Sequence, residues 1–306
     1  MTSAGPIGAG PSTGTNAVAP NAAGPSGGSG GSRPWAVVTG ASGGIGEWLA
    51  RGLAARGRPV WLVARRGDVL HRLAGELAGP AGGQVRVTAC DLADPGARGA
   101  LAKELAAEPV AVLCANAGFP VCGPLAENDP EREAACVAVN TVALHALTLA
   151  VLPRMLARGG GRVLVSGSTA GLQPVPTAAT YAATKAFANT FAESLHAELR
   201  GTGVTCTLLA PGPVRTGFYD VGGIPGLTEQ KALAWQSPQR VAEAALRGME
   251  RGRRLVVPGP VAKAQYAIGR HLPRTVLAAT MRTTILPRLR GARLPAAAPP
   301  DHPRTP

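Results

Sequence analysis

Tyr181 and Lys185, four residues apart, are the residues of this chain best placed to move a proton. On a helix that spacing stacks them one turn apart on one face. A phenol ordinarily titrates near ~10, too high for efficient proton transfer at neutral pH. A fixed ammonium beside it favours the phenolate, so the pair can serve as a general acid or base. The plain alternative is a solvated helix face. Residue usage favours chemistry. Of 31 Lys+Arg only four are lysines (Lys103, Lys185, Lys231 and Lys263), and there are three tyrosines. A chain that uses arginine almost everywhere has a lysine one turn beyond a tyrosine.

The elements ahead of the pair determine what it could act on. Trp35 to Val38 reads as a short apolar strand running into Thr39-Gly40-Ala41-Ser42-Gly43-Gly44-Ile45-Gly46, with a helical stretch to Arg56. Strand, glycine turn and helix form a phosphate-binding arrangement. Gly40 permits the tight turn, Gly44 lets backbone approach a pyrophosphate, and Gly46 lets the helix lie close to the strand. Val60 to Ala64 is a second strand, ending in Arg65-Arg66. An acid at this place would bind ribose hydroxyls and favour NAD. Two arginines suit a 2′-phosphate and favour NADP(H) over NAD(H).

Strands and helices alternate along the rest of the chain. Further strands are expected at Gln84–Ala89, Val110–Cys114, Arg162–Ser166, Val204–Leu209 and Arg254–Val257. Between them, Asp94 is expected to cap a helix that opens on Pro95 and runs to about Ala107. A long helix from Glu131 to Leu156 carries Asn140 and is expected to be interrupted at Pro153. A helix over Thr177–Arg200 carries the Tyr/Lys pair, and another starts at Pro238. The pattern predicts an α/β fold, a single Rossmann-type doubly wound parallel sheet of about seven strands over 34–258. Residues 1–33, rich in Gly, Pro, Ser and Ala with almost no charge, read as a disordered leader without the form of a secretory signal. Residues 259–290 read as a basic, partly helical extension and 291–306 as a disordered tail.

Read together, these motifs resemble the short-chain dehydrogenase/reductase family. The matching motifs run in order from residue 36 to about 257. The glycine turn resembles the family's cofactor motif, and Asn116-Ala117-Gly118 its sheet-stabilising motif beside the cofactor. Ser168 precedes Tyr181 by the family's thirteen residues, Tyr181-x-x-x-Lys185 is the family's catalytic signature, and Pro211-Gly212 lies where the family places its nicotinamide-side loop. The resemblance implies a hydride-transferring oxidoreductase that interconverts a carbonyl and a secondary alcohol. Tyr181 would exchange the proton, Lys185 would support it and hold the nicotinamide ribose, and Ser168 would hydrogen-bond the substrate oxygen. Asn140 would hold a water behind Lys185. Asp91 and Leu92 would bind the adenine side. Pro211, Gly212, Val214 and Thr216 would bind the nicotinamide side, with Thr216 at the carboxamide. Ser166 competes with Ser168, and the spacing to Tyr181 favours Ser168. Many NADP-dependent members carry a basic residue where Gly43 stands, which leaves Arg65 as the main phosphate contact.

Composition bounds the remaining readings. The longest apolar stretch, Cys136 to Leu152, is interrupted by Asn140, Thr141, His145 and Thr148 and reads as a buried helix rather than a membrane span. Five cysteines, an odd number with no CxxC, argue against a metal or disulfide framework. The net charge of +13 is uneven, with eleven Lys/Arg against one acid from Arg251 to Pro306. No nucleic-acid-binding signature accompanies it. The extension could touch anionic lipid weakly, cap the substrate cleft or meet a dimer partner. The expected protein is cytoplasmic or peripheral to a membrane, a homodimer or homotetramer, acting on a small-molecule carbonyl or alcohol. Its pocket is expected from the loops near Gly171–Thr177, Phe119–Leu125 and Phe218–Trp235. Phe218, Tyr219, Ile224, Leu227 and Trp235 would form an apolar lid over a hydrophobic substrate. The alternative is a non-catalytic NADP(H)-binding or membrane-surface protein on the same fold.

Overall fold

The computed structural model describes residues 33–79, 83–222 and 235–284. The expected leader up to Ser32, the lid residues Ile224 and Leu227, and the expected tail lie outside the described residues.

The runs rich in Val, Leu and Ala form a seven-stranded sheet in the order β3-β2-β1-β4-β5-β6-β7. The strands are β1 Trp35–Thr39, β2 Val60–Ala64, β3 Val85–Ala89, β4 Val110–Ala115, β5 Gly161–Ser166, β6 Val204–Leu209 and β7 Leu255–Val256. Every pairing is parallel. Central strands of such a sheet are covered on both faces, so they read as continuous apolar runs rather than alternating ones. The period of two still sorts the side chains. Val37, Trp61, Val63, Leu113, Val163 and Leu208 join one core cluster. Ala36, Val38, Leu62, Val112, Cys114 and Leu164 join the other.

Helices cover each cluster. On one face lie α1 Gly44–Ala55, α2 Gly67–Ala78 and α8 Pro238–Glu250. On the other lie α3 Pro95–Ala107, α5 Leu144–Ala157 and α6 Ala179–Glu198. The expected cap of α3 is present, with the Asp94 carboxylate accepting from Ala97 N–H at 2.6 Å. The strand order reverses direction at β1, between β2 and β4. The crevice above the strand ends at such a switch point is where ligands enter α/β sheets.

The long helix differs from the sequence expectation. It is α4 Pro130–Val137, a π-helical turn over Ala138–Ala143, then α5, and Pro153 lies inside α5. The interruption falls at Asn140, whose side chain is hydrogen-bonded to Phe119 and Thr184 as well as to Cys136 one turn back. Single π turns of this kind are common at functional sites. By length and composition the whole stretch Pro130–Ala157 could cross a membrane. Here its Leu144, Leu147, Val151 and Met155 are buried in the core of the sheet.

After β6 comes a short helix, α7 Phe218–Val221. Beyond β7 the basic extension forms α9 Pro260–His271 and α10 Arg274–Thr284, which meet at Pro273. All five cysteines are free thiols. Burial pushes Cys114 and Cys206 up to about 12, consistent with small core residues.

Candidate active site

The glycine turn begins where β1 is tied to β4. The Thr39 hydroxyl accepts from the backbone N–H of Asn116 and of Ala117, each at 3.0 Å, and donates to Cys114 O at 3.3 Å. The Asn116 amide donates to Thr39 O at 3.1 Å. Thr39 and Asn116 therefore fix the edge of the crevice, and their side chains are engaged in the sheet. Gly40 has φ +68, and a Cβ on Gly46 would stand 2.1 Å from Gly40 O. Only glycine at 46 lets α1 start so close to β1. No side chain caps the first turn of α1, so its N–H groups face the turn.

Both arginines after β2 are exposed, but they differ in reach. The Arg66 guanidinium donates to Ser42 O at 2.9 Å and to Ser42 Oγ at 3.2 Å, beside Gly43. Arg65 has no hydrogen-bond or ion-pair partner among the described residues. The sequence points to Arg65 as the main phosphate contact, and the residue that reaches the turn is Arg66, the N-cap position of α2. Asp91 is exposed at the end of β3 and its carboxylate accepts from Ala93 N–H at 2.9 Å. Leu92, the next residue, is buried.

Across the crevice, α6 carries Tyr181 and Lys185, the pair expected to move a proton. Tyr181 is half-buried, with its ring edge-on to Phe218 at 5.6 Å between centroids. The Lys185 ammonium lies 5.9 Å from the centre of the Tyr181 ring and is 5 % exposed. It donates to Ser166 O at 2.8 Å. Burial pushes this lysine down to about 8. The two competing serines have separate tasks. Ser166 donates its hydroxyl to Asn116 Oδ1 at 3.0 Å, which ties β5 to the edge described above. Ser168 lies beyond the strand end, its hydroxyl accepting from Ala170 N–H at 3.0 Å. A Cβ on Gly171 would stand 2.5 Å from the Lys185 backbone. That close approach seats the Thr169–Leu172 turn directly on α6.

Asn140 sits in the π turn and is 3 % exposed. Its amide donates to Phe119 O at 3.1 Å and to Thr184 Oγ1 at 3.0 Å, while its carbonyl oxygen accepts from Phe119 N–H at 3.1 Å. A Cβ on Gly118 would lie 2.9 Å from Asn140 Oδ1 and 3.3 Å from Lys185 Nζ. The space between asparagine and lysine thus depends on glycine. Thr39, Asn140, Ser166 and Lys185, together with apolar residues such as Val139 and Leu144, line a cavity of about 10 Å3, which is roughly the size for one water molecule.

The loop after β6 closes the crevice. Pro211 O accepts from Thr169 N–H at 3.1 Å, and Val214 is buried and bridged to Gln236. Thr216 reaches over the glycine turn, its methyl 3.2 Å from where a Cβ on Gly44 would be. The extension covers this loop from outside. Ala262 and Gln265 of α9 lie against Gly212, and Gly269 lies against Leu172. Tyr266 is buried, and Tyr266, Arg254 and Arg270 converge on Glu193 of α6.

The structure therefore gathers Tyr181, Lys185, Ser168 and Asn140 at one end of β4 and β5, opposite the turn from Gly40 to Gly46. Two participants escaped the sequence reading. Thr184 joins Asn140 to α6, and Asn189 hydrogen-bonds the backbone of Ser168. Asn189 could have been found from its spacing, four residues beyond Lys185 on the same helical face.

Comparison with known proteins places this geometry. The family model for short chain dehydrogenases matches residues 34–220. The chain is 39% identical over 175 residues to a very-long-chain 3-oxoacyl-CoA reductase of Laccaria bicolor, covering 56% of this chain and 52% of the relative. It is 30% identical over 233 residues to dehydrogenase/reductase SDR family member 7B of Bos taurus, covering 72% of each. The chain spans between about half and three-fifths of the first curated relatives it matches. Among solved structures it is similar to a short-chain dehydrogenase from Sphingobium yanoikuyae in complex with NADPH. The TM-score is 0.70 at 27% identity, covering 87% of this chain and 99% of that one.

Proposed function

The chain belongs to the short-chain dehydrogenase family, and from that membership we propose that it is an NADP(H)-dependent ketone reductase acting on a hydrophobic substrate. The observation that carries this reading is the buried Lys185 ammonium beside Tyr181, with Ser168 at the adjoining strand end. A dinucleotide fits the opposite side of the crevice. The uncapped first turn of α1 and the side-chain-free surface at Gly43 and Gly44 would hold its pyrophosphate. Arg66 and Ser42, with Arg65 beside them, would hold a 2′-phosphate. Asp91 and Leu92 would face the adenosine. Thr216 and the Pro211–Gly212 loop would face the nicotinamide. When bound, NADPH supplies the hydride.

The chain's own residues do the rest. Ser168 orients the carbonyl by donating a hydrogen bond to its oxygen, where charge develops during reduction. Tyr181 delivers the proton to that oxygen. Lys185 supports the negative charge left on the phenol, its low-dielectric surroundings strengthening the interaction. Asn140 and the cavity behind Lys185 supply a one-water route by which the proton is replaced. Phe218 against Tyr181, with the half-buried Trp235, supports an apolar substrate. The similarity to 3-oxoacyl-CoA reductases adds long-chain 3-oxoacyl thioesters to steroids and small ketones as the classes to assay.

Two further parts of the reading concern surroundings. Val137, Val142, Leu149 and Phe187 are exposed on α4 to α6 and support assembly of two or four copies. Exposed Ile268 and Val276 among the cations of α9 and α10 support weak contact of a cytoplasmic protein with a membrane surface.

The test is loss of NADPH absorbance across that substrate panel, repeated with Arg66→Ala and Arg65→Ala. Wild type is expected to consume NADPH with at least one ketone. Arg66→Ala is expected to raise KM for NADPH about tenfold, the worth of one exposed charge-assisted hydrogen bond, with little change for NADH. Arg65→Ala is expected to have the smaller effect. Equal effects on both cofactors would remove the 2′-phosphate role.

A further inference from the structure

Asn189 is a buried polar side chain beside the reacting groups that the mechanism does not use. It is 5 % exposed and lies on α6 four residues beyond Lys185. Its carboxamide makes a two-point contact with the backbone of Ser168. The Asn189 carbonyl oxygen accepts from Ser168 N–H at 3.2 Å, and its amide donates to Ser168 O at 2.9 Å. This is the pattern a neighbouring strand would offer, at the place where the ladder has ended. Gly167 N–H still reaches Leu209 O at 2.8 Å, and Thr169 N–H reaches Pro211 O at 3.1 Å. Between them, Ser168 is held from α6.

Gly167 makes room for the contact, since a Cβ there would stand 2.0 Å from Asn189 Oδ1. The contact also has a direction. Tyr181, Lys185 and Asn189 recur every four residues along one face of α6. The helix that carries the proton donor and its cation therefore also fixes the backbone from which the serine hydroxyl projects. We propose that Asn189 is the positioning residue that registers Ser168 against Tyr181. This rests on the reading of Ser168 as the group that holds the substrate oxygen. A polar core residue that merely satisfies a loop would make the same bonds, so the test has to separate positioning from folding.

A double-mutant cycle does so, with Ser168→Ala, Asn189→Ala and the pair, reading kcat and KM on one ketone and NADPH binding by fluorescence titration for each. Ser168→Ala is expected to lower kcat about 10²- to 10³-fold, as for loss of one donor to the developing charge. Asn189→Ala is expected to lower kcat roughly 10- to 100-fold, the scale of a small misplacement, with NADPH affinity within about twofold. In the Ser168→Ala background the same substitution is expected to cost less than about twofold, because the group it positions is gone. Gly167→Ala breaks the contact from the other side and is expected to reproduce the kcat-selective loss. Additive losses, or loss of NADPH binding alongside turnover in both Asn189→Ala and Gly167→Ala, would overturn the proposal. Full turnover in Ser168→Ala would instead overturn the role given to Ser168.

Discussion

Replacing Tyr181 by phenylalanine is expected to lower turnover about 10³-fold, within the range general acid–base catalysis contributes, while NADPH still binds. The substitution removes one oxygen and keeps the ring. The edge-on contact with Phe218 at 5.6 Å involves the ring and should survive, as should the packing of α6. The glycine turn and Arg66 lie across the crevice and are untouched. Loss of turnover with intact binding is therefore the signature of a missing proton donor rather than a disturbed fold. Stopped-flow reduction and a binding titration on the same sample would measure both. Near-normal turnover with a good substrate would show that the proton comes from elsewhere.

Lys185→Met carries the second large effect, about 10²-fold or more in kcat, since the ion at stake sits in a water-excluded site. The lysine also has a stability signature whose sign follows from its burial. In the fold Lys185 is pushed down from 10.5 to about 8 by desolvation. Between those values the unfolded chain holds a proton that the folded chain has released. Stability contributed by this group therefore rises as pH increases from about 8 towards 10.5, and the buried ammonium is a full cost below about 8. Methionine has a similar shape and no charge to desolvate. Denaturant midpoints compared at pH 7 and pH 10 should show the gain on the alkaline side in wild type and its loss in Lys185→Met. The same pH-dependent gain in both proteins would mean that Lys185 is not the buried ion described here.

Local features of this chain were legible from the residues themselves. Strand positions follow from apolar runs such as Val60–Ala64, which cannot face water on either side. The cap at Asp94 follows from its side chain and the proline after it. The glycine turn is legible because 40 and 46 each answer a backbone need that no other residue meets. The parts that were not legible depend on distant partners. Nothing near Asn140 in sequence announces that Phe119 and Thr184 will hydrogen-bond its side chain, whereas Pro153 announces itself and yet lies within α5. At the end of β2, two adjacent arginines are both exposed, and only Arg66 reaches Ser42. Which one turns back depends on Ser42, 24 residues earlier. The place of the extension is likewise set by Glu193, which gathers Tyr266, Arg254 and Arg270 onto α6. Sequence showed its charge and helical spacing but not that it covers the Pro211–Gly212 loop.

The claim on which the rest depends is that a hydride from NADPH reaches a carbonyl carbon held by Ser168 while Tyr181 protonates the oxygen. Reduction of an active ketone with NADPH carrying deuterium on the transferring face of the nicotinamide tests it most directly. Mass spectrometry and NMR of the alcohol are expected to show one deuterium per product molecule, bonded to the former carbonyl carbon, with NADPH consumed in equal amount. Tight NADPH binding with no deuterium delivered to any ketone, steroid or 3-oxoacyl thioester would contradict the account and leave a protein that binds the nucleotide without using it.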